Sequence, residues 1–132
     1  MNMIIKTNNA PQAIGPYSQA IDTGNTLYIS GCCPFSVADG SVVGLTIEEQ
    51  TKQAMDNLQA IVTAADLTMS DIVKTTCFIS DLENFMAFNT LYASYFTDGT
   101  FPARSCVEVA RLPKDVLIEI EAVVVRKDNK KC

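Results

Sequence analysis

Residues 116–125 read VLIEIEAVVV, an almost unbroken run of aliphatic residues that is interrupted by Glu119 and Glu121. This composition predicts a largely buried β-strand. Because successive side chains of a strand point to opposite faces, the two glutamates share one face, which is apolar at both of its ends. The other face carries only apolar side chains, from Ile118, Ile120, Ala122 and Val124.

Two helices and five more strands are predicted before this last strand. The clearest helix spans residues 47–65, where Thr46 and Glu49 have the spacing of a capping box and apolar residues recur at helical spacing. A second helix follows Asp81–Asn84, and we interpret its stripe of aromatic residues as core packing rather than as a platform for a ligand. The other strands are predicted at Met3–Lys6, Tyr17–Asp22, Leu27–Ser30, Ile72–Ser80 and Arg104–Ala110.

The order β, β, β, α, β, α, β, β predicts an α+β sandwich. We expect one mixed sheet of about six strands with both helices packed on one face. No linker or repeat divides the 132 residues, so residues 1–132 are expected to form a single domain. If the uncovered face of the sheet is apolar, subunits must associate to hide it, because a large exposed apolar patch is costly in water.

Composition and charge exclude several classes of function. The net charge is −5, and four of the ten Lys and Arg residues fall within residues 126–132, so we expect a solvated C-terminal end and no nucleic-acid partner. The apolar patch Met3–Ile5 is far shorter than a signal segment or a membrane span. Five cysteines without a CxxC motif favour the cytoplasm over a disulfide framework. Without histidine, a structural metal site is not expected.

The lack of histidine leaves Asp, Glu, Lys, Tyr and Cys as the groups for acid–base chemistry. Two roles are open for the acids of the last strand, Glu119 and Glu121. One of them faces a cleft and handles a water molecule, or the two together form an exposed polar patch. Arg104 either bridges to one of these glutamates or binds a ligand carboxylate through its planar fork. Cys106 shares the face of Arg104, but we disfavour a nucleophilic role because no histidine can activate its thiol. Gly31 either meets the backbone requirements of a turn or lets backbone N–H groups approach a ligand closely.

Several sequence motifs, spread in order over nearly the whole chain, belong together. They are Ala10-Pro11 with residues 13–20 (AIGPYSQA), Ser30-Gly31 with Pro34, Gln50-Thr51 with Asn57, residues 73–76 (VKTT), residues 102–113 (PARSCVEVARLP) and residues 119–122 (EIEA). This set resembles the reactive intermediate deaminase family, RidA/YjgF. The chain departs from the family at Cys32, where glutamine is common, and at residues 97–100, which look shortened at the rim of the cleft.

The resemblance implies a chorismate-mutase-like fold, a homotrimer with clefts between subunits, and hydrolysis of 2-iminobutanoate or 2-iminopropanoate to the 2-keto acid and ammonia. It implies no cofactor. Carried over residue by residue, Arg104 would bind the substrate carboxylate and Glu119 would hold and activate the attacking water. An imino acid needs these two chemical types, one fixed cation and one proton-transferring group near its C=N carbon. The resemblance further implies that the cleft is lined by Tyr17, Ser30, Gly31, Asn89 and Cys106.

Two other functions fit parts of the sequence. The family has also been described as an endoribonuclease or translation inhibitor, which the negative net charge and the lack of histidine disfavour. A non-catalytic module that binds a 2-keto acid is the second alternative, because Arg104 alone would suffice for the carboxylate. Ammonia release from an imine separates turnover from binding.

Overall fold

Six strands and two helices follow one another in the order that the sequence predicts. This computed structural model describes residues 2–127, so most of the basic C-terminal end lies outside the described residues. The helices are α1, Ile47–Ala64, and α2, Phe85–Ala93. The strands are β1, Met3–Ile5; β2, Ala20–Asp22; β3, Thr26–Cys32; β4, Ile72–Ile79; β5, Ala103–Glu108; and β6, Ile118–Val125.

The strands form one mixed sheet with the order β1-β2-β3-β6-β4-β5. Neighbouring strands are antiparallel except β4 and β5, which are parallel because the connection between them crosses over through α2. The last strand in the sequence, β6, therefore lies in the middle of the sheet, between β3 and β4. The predicted α+β class with a mixed six-stranded sheet and two helices is confirmed.

The first helix begins where its sequence predicts. The Thr46 hydroxyl accepts a hydrogen bond from the Glu49 N–H at 3.1 Å, and the Glu49 carboxylate accepts one from the Thr46 N–H at 3.2 Å, which completes the capping box. Behind this cap, α1 buries Met55, Leu58 and Val62 against the sheet. No helix in the described part of the chain is both long enough and apolar enough to cross a membrane.

The alternation of β6 divides the sheet into a helix-covered face and a face that we call the open face. Ile118, Ile120, Ala122 and Val124 are all buried under the helices, as predicted. The side chains between them, including Glu119, point to the open face. Large apolar side chains remain exposed there, among them Tyr28 (53%) of β3 and Val107 (45%) of β5.

The second strand is shorter than predicted, since it begins at Ala20 rather than at Tyr17. Although the Gln19 carbonyl still accepts a hydrogen bond from the Ser30 N–H of β3 at 3.0 Å, the Gln19 side chain binds the backbone of the loop before β2. Its oxygen accepts from the Thr7 N–H at 2.7 Å, and its nitrogen donates to the carbonyls of Thr7 and Pro11 at 3.1 and 2.8 Å. The segment before β2 is therefore fixed as a loop beside the sheet.

Candidate active site

A cavity of about 420 Å³ opens beside the Ser30–Gly31 segment of β3 and the neighbouring strand β6. Four of the residues predicted for the site line it: Tyr17, Ser30, Gly31 and Glu119. Glu121 lines it too, so both acids of β6 face the same cavity. Glu119 is partly buried and Glu121 is exposed, which makes Glu119 the more enclosed of the two carboxylates.

Part of the wall of this cavity comes from the loop before β2. The Tyr17 hydroxyl accepts a hydrogen bond from the Ile14 N–H at 3.3 Å, which holds the phenol against its own loop. The Ser30 hydroxyl donates to the Ser18 carbonyl at 2.6 Å, and this bond ties the loop to β3. Gln19, which anchors the same loop and is buried, was not singled out from the sequence, where it falls within the predicted strand Tyr17–Asp22.

Gly31 is required by the close approach of Glu119. The pairing of β3 with β6 shifts register between Ile29 and Cys32, which indicates a bulge at this point. A Cβ atom at residue 31 would collide with the Glu119 carboxylate. Gly31 lies within β3 and is not among the glycines with positive φ, so turn geometry does not explain it. The absent side chain leaves room for the carboxylate against the backbone.

A thiol contacts the Glu119 carboxylate, and a buried amide holds the backbone of the residue that carries this thiol. The Cys33 thiol lies 3.4 Å from Glu119 Oε1 and donates a hydrogen bond to it. The Asn57 amide of α1 donates to the carbonyls of Cys33 and Phe35, each at 3.0 Å. Sequence reasoning gave neither residue a role in the site. The signal for Asn57 was a polar residue on the apolar face of α1, whereas nothing in the sequence pointed to Cys33.

Arg104 belongs to a second group of residues, on the helix-covered face. Its Nη1 donates to Asn89 Oδ1 at 2.8 Å, and its guanidinium lies 4.9 Å from the centre of the Tyr92 ring and 5.7 Å from that of Phe88. These contacts fix the plane of the guanidinium through cation–π attraction and one hydrogen bond. Arg104 and Asn89 also line a smaller cavity of about 280 Å³. Within residues 2–127, no carboxylate forms an ion pair with Arg104.

Cys106 lies beside Arg104 but is poorly suited to act as a nucleophile. Burial raises the pKa of its thiol, and the nearby Arg104 charge offsets that shift only in part. A thiol that keeps its proton at neutral pH is a weak nucleophile. Among residues 2–127, no group of three His, Cys, Asp or Glu side chains is arranged to hold a metal ion.

The two groups of predicted site residues do not meet within one chain. Arg104 pairs with Thr75 of β4, and Thr75 in turn pairs with Ala122 of β6, so all three point to the helix-covered face. Glu119 pairs with Phe78 on the open face. Each chain thus carries one group with Tyr17, Ser30, Gly31 and Glu119, and another with Asn89, Arg104 and Cys106.

Comparison with known proteins extends over nearly the entire chain. The family model for endoribonuclease L-PSP matches residues 7–126. A 2-iminobutanoate/2-iminopropanoate deaminase of Escherichia coli K12 is 53% identical over 129 residues, which cover 96% of this chain and all of that protein. A RutC family protein of Pyrococcus horikoshii is 46% identical over 127 residues, with 96% and 100% covered.

Solved structures of relatives have the same fold. The crystal structure of the E. coli YjgF gene product superposes with a TM-score of 0.91 at 52% identity, covering 95% of this chain and 99% of that one. A crystal structure of E. coli TdcF with bound serine also gives a TM-score of 0.91, at 45% identity and with the same coverage. The motifs, the fold and these likenesses agree, and the chain belongs to the endoribonuclease L-PSP family, the RidA/YjgF family that its motifs resemble.

Proposed function

We propose that this protein hydrolyses 2-iminobutanoate and 2-iminopropanoate to the corresponding 2-keto acids and ammonia. The observation that carries the proposal is the likeness, at 53% identity over 96% of the chain, to an E. coli protein that bears this activity in its name. The residues agree with the chemistry, because Arg104 offers a fixed guanidinium for a carboxylate and Glu119 offers a carboxylate for proton transfer.

We further propose that the active site lies between two copies of the chain in a homotrimer. Arg104 and Glu119 point to opposite faces of one sheet, so a substrate that contacts both must take them from different copies. A cyclic head-to-tail assembly supplies this arrangement at every interface. The exposed side chains of Tyr28 and Val107 on the open face support association, because a neighbouring subunit would remove them from water.

The substrate carboxylate binds to the guanidinium fork of Arg104 in this proposal. Asn89 and the rings of Phe88 and Tyr92 hold the fork in one plane, so the arginine side chain loses little conformational entropy when it binds the substrate. A fixed carboxylate also fixes the adjacent C=N carbon. The rate gain from this orientation arises because water, imine and base are already aligned.

Glu119 of the neighbouring copy then acts as general base. It takes a proton from water while the water oxygen forms a bond to the imine carbon and the electron pair of the C=N π bond moves to nitrogen. Glu119 returns this proton to the nitrogen, which gives a carbinolamine and restores the carboxylate. Glu119 then accepts the hydroxyl proton of the carbinolamine and passes it to the nitrogen as the C=O bond forms and the C–N bond breaks. The products are the 2-keto acid and ammonia, and no cofactor is needed. Tyr17, Ser30, Gly31 and Cys106 line the cleft.

Ammonia release from an imine made in situ tests the proposal. Threonine dehydratase generates the imine of 2-ketobutyrate, and the rate of ammonia formation is compared with and without this protein. We expect an acceleration that Arg104→Ala abolishes. Tight binding of 2-ketobutyrate without any acceleration would instead support a non-catalytic binding module. RNA cleavage that persists in both Arg104→Ala and Glu119→Gln, in preparations free of contaminating nuclease, would support the endoribonuclease alternative.

We also propose a cytoplasmic location. Cys32, Cys33, Cys77 and Cys106 are all free thiols, which fits a reducing compartment. Cell fractionation with detection of the protein by antibody tests the location: we expect it in the cytosolic fraction, and its recovery in the membrane or exported fraction would contradict the proposal.

A further inference from the structure

The Glu119 carboxylate is in contact with Gly31 of β3 and with Cys33, which directly follows β3. On one side the backbone of Gly31 approaches Oε2 so closely that a side chain at residue 31 would collide with it. On the other side the Cys33 thiol donates to Oε1 at 3.4 Å. Within residues 2–127, this thiol is the one group that donates a hydrogen bond to Glu119. The carboxylate therefore has a defined orientation that depends on residue 33.

The position of Cys33 is set independently of Glu119. Asn57 of α1 is 2% exposed and donates to the carbonyls of Cys33 and Phe35, each at 3.0 Å. The Asn57 oxygen accepts from Gln53 Nε2 at 2.8 Å, which fixes the amide in turn. Helix α1 thus holds the backbone of residue 33, and the sulfur reaches the carboxylate from an anchored position.

The Cys33 thiol keeps its proton at neutral pH. Burial raises its pKa well above the ordinary value of a cysteine, and the negative charge of Glu119 raises it further. A protonated thiol is a hydrogen-bond donor and a poor nucleophile. This chemistry suits a residue that orients a neighbouring carboxylate and does not suit covalent catalysis.

We propose that Cys33 is a positioning residue for the deaminase reaction, in which its S–H group orients the Glu119 carboxylate toward the attacking water. The inference rests on the role that is proposed above for Glu119. A loss of the hydrogen bond releases the carboxylate from its productive orientation without changing the binding of the substrate carboxylate at Arg104. The effect therefore falls on kcat and leaves KM nearly unchanged.

A packing role for the same residue has the opposite signature. Cys33 belongs to a small apolar cluster with Phe35, Leu112 and Val116. In such a cluster, valine preserves the apolar contacts but cannot donate a hydrogen bond, whereas serine can donate but places a hydroxyl among apolar side chains. The pair Cys33→Ser and Cys33→Val therefore separates the two roles, and thermal unfolding of each variant confirms that it is folded.

We expect Cys33→Val to lower kcat by roughly five- to ten-fold with KM within about two-fold of the wild type, as for the loss of one ordinary hydrogen bond, since a thiol is a weak donor. Cys33→Ser should keep kcat within about three-fold, because its hydroxyl restores the donor. In a Glu119→Gln background, Cys33→Val should cause no further fall, because the group that it orients is absent.

Three results would overturn the inference: normal kcat in Cys33→Val, greater loss in Cys33→Ser than in Cys33→Val, or equal losses in both folded variants. Normal kcat in Cys33→Val would leave no role for the thiol, and greater loss in Cys33→Ser would show a packing role. Equal losses would show that a hydrogen-bond donor at residue 33 does not restore turnover. Failure of the proposed function looks different. In that case the wild type itself would not accelerate ammonia release, or Glu119→Gln alone would retain full activity, whatever the variants at residue 33 do.

Discussion

Arg104 and Glu119 lie on opposite faces of the same sheet. Arg104 is in register with Thr75, whose hydroxyl hydrogen-bonds to the Tyr92 hydroxyl of α2 at 2.7 Å, beneath the helices. Glu119 is in register with Phe78 on the open face. One chain therefore cannot bring the guanidinium and the carboxylate to a single small substrate, and a site that uses both requires two copies.

Arg104→Ala should lower the rate of ammonia release by at least about 100-fold, because the substrate loses its fixed cation. Arg104→Lys should fail nearly as badly, since an ammonium lacks the planar fork that stacks on Tyr92 and reaches a carboxylate with two parallel bonds. Circular dichroism and size-exclusion chromatography should show both variants folded and oligomeric. Near-normal activity in Arg104→Lys would count against bidentate binding of the carboxylate.

Glu119→Gln should reduce kcat by about 100-fold or more, because the amide cannot accept a proton from water. Its affinity for 2-ketobutyrate, measured by titration calorimetry, should stay within about three-fold of the wild type, since the carboxylate of this ligand binds at Arg104. Equal losses of turnover and affinity would show that Glu119 shapes the cleft rather than moving a proton.

Gly31→Ala should reduce kcat by roughly 100-fold while the protein stays folded, because its methyl group displaces the Glu119 carboxylate from its place against the backbone. Gly24→Ala is the matched control. Nothing lies within 4 Å of a Cβ at residue 24, but its φ of +106° disfavours a side chain. It should lower the free energy of unfolding by about 1 kcal/mol and leave kcat unchanged. Wild-type kcat in Gly31→Ala would show that the close approach is not needed for turnover.

The sequence predicts most of the fold because the relevant patterns are local. Alternation along residues 118–125 assigns the buried face of β6, and Thr46 with Glu49 marks the start of α1. The start of β2 is missed because Tyr17 and Ser18 belong to a loop that is held by contacts distant in sequence, such as those of the Gln19 side chain with the backbone of residues 7–11. No local pattern signals those contacts.

Local sequence patterns do not predict that Arg104 and Glu119 lie on opposite faces of the sheet. Which face Arg104 points to follows from the parallel register of β5 with β4, which the order of elements does not specify. The Cys33–Glu119 contact joins residues 86 positions apart, and it exists only because β3 and β6 are neighbours in the sheet. The family resemblance supplies the residue types of the proposed site, whereas the sheet topology shows that Arg104 and Glu119 lie on opposite faces.

Mixing two inactive variants tests the shared site most directly. Arg104→Ala and Glu119→Gln chains are unfolded together in equal amounts and refolded, and native mass spectrometry verifies that the oligomers contain both. If each cleft takes Arg104 from one copy and Glu119 from its neighbour, about one quarter of the clefts in a random mixture contain both native residues. We expect the mixture to recover about one quarter of the wild-type rate of ammonia release, although neither parent is active. Mixed oligomers that remain inactive would contradict the shared site.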